Sequence, residues 1–218
     1  IKPLADVLFA MGRIEETIEL EAEEGRLAPL STWISRNQQY NYFAAGRAAE
    51  AEAEYQRSRA MQGNKLDLQF LSFVRLLADP DADVAELRAR YPERNLAPGS
   101  PQWRLDQDLI SALGDRQRML DILRQHFRSG ENISHLMADA LGDATLAMQA
   151  FSRGWEEARY NNLSRAYFNI WLMPNSGMRA LPEFRQLLEE IGLVKYWRES
   201  KKWADACAPV GEHDFQCH

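Results

Sequence analysis

Four residues able to ligate a metal or form a covalent bond crowd the end of the chain: Cys207, His213, Cys217 and His218. Two thiols and two imidazoles are the donor set of a tetrahedral zinc site. The spacing matches no common zinc finger, however, and the adjacent Cys217 and His218 are strained for chelating one ion. A pair of cysteines in a loop-rich tail more naturally forms a staple. A Cys207–Cys217 disulfide is therefore the favoured reading, with free thiols and a metal site as the alternatives. A disulfide implies an oxidising compartment, hence the periplasmic side of a membrane-anchored parent protein; free thiols leave the cytoplasm open.

The other two histidines, His126 and His135, belong to no His-Glu-x-x-His pair. A Gly-x-Ser-x-Gly elbow and a phosphate-binding glycine loop are likewise missing from the sequence. Carboxylates are abundant but carry no pocket signature, so no catalytic activity, cofactor or metal is expected of this chain. With 26 Lys and Arg against 32 Asp and Glu, the net charge is −6, which makes nucleic acid a poor partner. The acid is densest at Glu15, Glu16, Glu19, Glu21, Glu23 and Glu24, read as a solvated helix face in preference to an acidic docking patch. The longest apolar stretch, Ala166 to Met173, is interrupted by Asn169 and stopped by Pro174, too short to span a bilayer, and direct membrane contact is not expected. The chain opens at Ile1, inside what reads as a helix, without a signal-peptide pattern. It reads as the C-terminal piece of something longer, with any output domain upstream.

The elements that carry these residues follow from the glycines. Gly12, Gly46 and Gly114 lie on a 34-residue grid whose remaining point is occupied by Pro80, and this is the period of a tetratricopeptide helical hairpin. The text around the first two repeats as well, Leu8-Phe9-Ala10-Met11-Gly12-Arg13 against Tyr42-Phe43-Ala44-Ala45-Gly46-Arg47. Ala112-Leu113-Gly114-Asp115 recurs as Ala140-Leu141-Gly142-Asp143 at a shorter interval. Strong helix formers dominate and β-branched alternation is missing, so the fold class is all-α. The pattern predicts helices over 3–11, 14–24, 30–44, 48–61, 66–78, 84–91, 102–113, 116–128, 134–141, 144–159, 163–172 and 181–191. Gly25 is expected to end the second of these, and the connection 92–101 to be a flexible joint.

The end of the chain carries a more specific pattern. Leu181-Pro182-Glu183-Phe184-Arg185-Gln186-Leu187-Leu188 leads through Ile191-Gly192-Leu193 and Tyr196-Trp197-Arg198 to Asp205-Ala206-Cys207 and Phe215-Gln216-Cys217. This resembles the C-terminal tetratricopeptide region of bacterial regulatory proteins that carry a winged-helix DNA-binding domain or an adenylate/guanylate cyclase domain upstream. The repeats keep the glycine turn but lose other typical positions, as at Thr17 and Glu24, so they are degenerate. The resemblance implies a right-handed α-solenoid over residues 1–173, closed by a last helix and capping tail over 174–218. Phe184, Leu187, Leu188, Ile191, Leu193, Tyr196 and Trp197 would form the lid.

It also implies a concave groove lined by the first helix of each hairpin. Counting back from the glycine turns places Asp6, Trp33, Arg36, Tyr40, Arg104, Asp108, Ser111, Asn132 and Asp139 on that face. Aromatics give apolar contact area, and Arg36 or Arg104 could hold a carboxylate in a bidentate fork. The competing reading packs Trp33 and Tyr40 between hairpins. The function implied is capture of a protein or peptide partner. A homo-oligomerisation module, forming a homodimer through the same surface, is the alternative, and a small-molecule sensor a distant third.

Overall fold

The computed structural model describes residues 2–62, 66–92, 95–161 and 170–218, with the backbone alone at 2, 62, 66–68 and 157–161. In chain order the helices are α1 (Lys2–Ala10), α2 (Ile14–Leu27), α3 (Thr32–Ala44), α4 (Ala48–Gln62), α5 (Leu66–Ala78), α6 (Val84–Arg90), α7 (Pro101–Ser111), α8 (Arg116–Arg128), α9 (His135–Ala140), α10 (Ala144–Asn161), α11 (Pro182–Glu190) and α12 (Leu193–Ser200). A 3-10 turn, Gly177–Ala180, precedes α11, and an antiparallel hairpin of β1 (Cys207–Val210) and β2 (Asp214–Cys217) follows α12. The described residues are thus mostly helical, with one short β-hairpin.

Local chemistry explains most of the boundaries. Side chains of Ser31, Asp83, Ser100, Asp115 and Ser134 each accept from a backbone N–H in the first turn of the following helix, filling one of the unpaired donors there. At the other ends, Gly12, Gly46 and Gly142 have φ of 77°, 72° and 92°. In each case the next residue donates back across the turn: Arg13 N to Leu8 O, Arg47 N to Tyr42 O, Asp143 N to Ala138 O. This six-to-one bond is the Schellman ending, which needs a left-handed residue. Gly114, at φ 94°, turns differently, with Asp115 N donating to Ala112 O.

Several expectations are corrected. Gly25 does not end α2, which runs on to Leu27; it lies inside the helix, where a Cβ would meet Gln38 Nε2 at 3.6 Å and Ile34 Cγ2 at 3.7 Å in ordinary contact. Of the acidic run, Glu21 is buried and accepts from Asn41 Nδ2 at 2.6 Å and Asn37 Nδ2 at 3.3 Å. Residues 193–200 form α12, and 207–217 a β-hairpin, where only a tail was expected. Of the helix expected over 163–172, residues 163–169 lie outside the described residues and 170–172 are turn and bend.

The chain forms two compact units, residues 1–63 with 162–218 and residues 64–161. The 92–101 connection falls inside the second unit.

In the first unit, α1 packs on α2, α2 on α3 and α3 on α4, and the final residues fold onto the α1–α2 turn. Trp171, Trp197, Trp203, Phe184 and Phe215 form a continuous aromatic cluster with centroid separations of 5.5 to 6.5 Å. Trp171 Nε1 donates to Ala10 O and Trp197 Nε1 to Met11 O, both at 3.1 Å, and Asp205 N donates to Gly12 O at 2.9 Å. Three successive carbonyls at the end of α1 are therefore satisfied from the far end of the chain. The Asp205 carboxylate completes the arrangement by accepting from Glu15 N at 2.9 Å, capping α2. The lid residues Phe184, Leu188, Leu193 and Trp197 are buried, and the tail's contacts include the α1–α2 turn.

Cys207 and Cys217 stand opposite each other in the hairpin register and are joined by a disulfide. Arg185 and Arg198 donate to the carbonyls of Phe215 and Asp214 at 3.0 Å, and Arg179 to that of His218 at 2.8 Å. Guanidinium groups thereby take up main-chain acceptors that a two-stranded sheet leaves open.

In the second unit, α5 packs on α6 and α9, α7 on α8, and α9 on α10. The core holds Leu71, Phe73, Val74, Leu77, Leu109, Met119, Leu123, Met137, Ala147 and Phe151. Arg116 ties it across helix ends, donating to Leu77 O and, at 2.9 Å, to Ala140 O, where the partial negative charge of a helix C-terminus favours a cation.

Candidate interaction faces

The expected groove residues can be placed one unit at a time. In the first unit, Trp33, Arg36 and Tyr40 share a side of α3, because residues three and four apart on a helix are neighbours. Trp33 is 45% exposed, and the Arg36 guanidinium carbon lies 4.2 Å from the centre of its ring. Such stacking orients the guanidinium while leaving its charge on the surface. Arg36 and Tyr40 are half-buried, as is Asp6 on α1. The opposite side of α3 is interior, with Ile34, Ser35, Gln38, Gln39, Asn41 and Phe43 buried. Ser35 Oγ donates to Glu54 Oε2 at 2.6 Å, fixing α3 against α4. Trp33 is therefore partly open to solvent.

Next to this face, the α2–α3 corner presents Leu27 at 76% and Leu30 at 84% exposure. The corner is braced: Ser31 N donates to Ala28 O, and Arg57 donates to Pro29 O.

In the second unit, Arg104, Asp108 and Ser111 occur at intervals of four and three along α7 and are all exposed. Arg104 donates to Gly99 O, and Ser111 Oγ donates to Asp108 O at 2.7 Å while accepting from Arg118 at 3.3 Å. Asn132 is exposed but sits in the coil between α8 and α9, ahead of the helix on which the groove count placed it. Asp139 is buried on α9, so it does not belong to an accessible face.

The residue that the sequence reading passed over is His126. Its ring is buried, Nδ1 lies 2.6 Å from Glu131 Oε2, and Nε2 lies 3.0 Å from Asp108 Oδ2. Burial pulls its pKa down, but the carboxylates of Glu131 and Asp108 outweigh that and hold the value above the usual histidine range. A signal was present: His126 continues the stripe Met119, Leu120, Leu123 that α8 buries, and a histidine on an apolar stripe requires polar partners.

Among the described residues no cluster of His, Cys, Asp or Glu is arranged to hold a metal ion, and no helix is long and apolar enough to cross a membrane. No known protein family, curated protein or solved structure matches this chain.

Proposed function

We propose that this chain is a non-catalytic protein-interaction module built from degenerate tetratricopeptide-like hairpins of the right-handed solenoid kind, and that it captures a peptide or protein segment on the outer side of α3. The observation that carries the reading is the Trp33–Arg36 pair. A large aromatic held half in water, with a guanidinium stacked on it at 4.2 Å, joins apolar area to a positioned cation on a helix whose other side is fixed in the core. Aromatic and arginine side chains of this sort dominate binding energy at interfaces. The recurring glycine ending of α1, α3 and α9 supports the hairpin repeat. In a bacterial regulator of the kind the tail resembles, such a module would act on an upstream output domain, and the Cys207–Cys217 disulfide fits the periplasmic side of a membrane-anchored parent.

The test selects short random peptides against the immobilised chain and measures their affinities by calorimetry. Selected peptides should lose about tenfold or more in Kd on W33A, about 1.4 kcal/mol. Equal binding to W33A would remove α3 from the site. A tight dimer in light scattering that W33A dissolves would instead favour self-association through the same surface.

A further inference from the structure

An imidazole with a carboxylate at each nitrogen satisfies both only as the imidazolium, because the neutral ring has one N–H and one lone pair. His126 is in that position, with Glu131 at Nδ1 and Asp108 at Nε2, on a ring only 8% exposed. From this geometry we infer that His126 is a proton-operated clasp, which ties Asp108 of α7 to α8 while charged and releases it to solvent when neutral.

The asymmetry of the two carboxylates decides which one leaves. Glu131 is 19% exposed and belongs to the coil that leads into α9; Asp108 is 56% exposed on the surface of α7. After the ring gives its proton to water, its remaining N–H stays with the shorter, more buried contact to Glu131. The Nε2 lone pair then faces the Asp108 carboxylate, and repulsion turns that side chain outward.

The other charged groups around the clasp do not substitute for it. From α7, Arg104 lies one turn before Asp108 and donates to Gly99 O. From α10, the Arg153 guanidinium is engaged with Phe127 O and Glu131 O and lies 3.6 Å from the centre of the Phe127 ring.

The sign of the effect follows from the raised pKa. The clasp contributes fully below the unfolded histidine value of about 6.5 and is lost as pH rises through the higher folded value.

Nitrogen-detected NMR of the histidine rings in the full chain tests this without any partner, so its outcome is separate from that of peptide capture. His126 should titrate above its value in the same chain unfolded in urea. D108N should lower that titration, since the introduced amide can donate to a neutral Nε2. Amide exchange in the last turn of α7 and across residues 131–134 should quicken with rising pH in the parent chain beyond the ordinary base catalysis seen elsewhere, and lose that excess in D108N. A folded-state titration at or below the unfolded one, or one unmoved by D108N with the helical circular dichroism intact, overturns the clasp.

Discussion

In both units a glycine of positive φ joins two helices, and the residue that follows it has opposite chemistry. In the first unit the follower is arginine, Arg13 and Arg47, each paired with a glutamate three positions on: Arg13 with Glu16, and Arg47 with Glu50 at 2.6 Å. In the second it is aspartate, Asp115 and Asp143, each accepting from the backbone N–H three positions on at 2.9 Å. An aspartate in that place caps its own helix, whereas Arg13 makes no side-chain cap. The cap for α2 comes instead from Asp205. The second unit writes its hairpins locally; the first hairpin of the first unit is completed by residues from the other end of the chain.

The sharpest way to break this contrast is to add one methyl group at equivalent glycines. At Gly12 a Cβ would lie 2.6 Å from Ala204 Cβ and 3.0 Å from the Trp171 ring, while at Gly142 it would meet open space. Both substitutions carry the left-handed penalty of about 1–2 kcal/mol, and G12A adds overpacking of about 1–3 kcal/mol. G12A should therefore cost about 3 kcal/mol and G142A about 1 kcal/mol, read by denaturant-dependent hydrogen exchange, with the G12A effect extending to residues 193–217. Equal costs would show that the tail does not press on the first turn.

A smaller loss is expected from removing the staple. The Cys207–Cys217 link closes a loop over a separation of 10 residues, which corresponds to about 2–3 kcal/mol of chain entropy. The double variant C207S/C217S should lower the stability of the first unit by that amount and leave exchange in α7 to α10 unchanged. A response spread over both units would contradict their separation.

The smallest effect sharpens the local side of the contrast. D143A removes the cap at the start of α10 and should cost about 1 kcal/mol, confined to the second unit. The ion pair of Asp143 with the partly exposed Arg124 adds at most about 1 kcal/mol to that figure. A loss several times larger would mean that Asp143 does more than cap.

The same local–remote distinction explains what the sequence disclosed. The limits 66–78 and 116–128 are found as expected, because apolar spacing and a following Pro or an initial Asp act within one turn. The glycine grid likewise reported a backbone requirement that each Gly meets by itself. Nothing local announces that Asp205 caps a helix 190 positions away, so a tail could be anticipated but not its target. Gly25 misled because a helix tolerates an isolated glycine in its interior. At the candidate site, Trp33 and Arg36 were legible as an i, i+3 pair. The link between Asp108 and His126 was not, since it depends on how α7 lies against α8.

Contact between the chain's two ends also has a consequence for synthesis. Ala10 leaves the ribosome 161 residues before Trp171, the donor that caps its carbonyl. At about 5–20 residues per second, the first helix waits roughly ten to thirty seconds for its partner, and the whole of 64–161 emerges in between. The inserted unit can thus be complete while the one that encloses it in sequence is still half-made, leaving the nascent α1–α2 turn as the surface a chaperone would have most time to find.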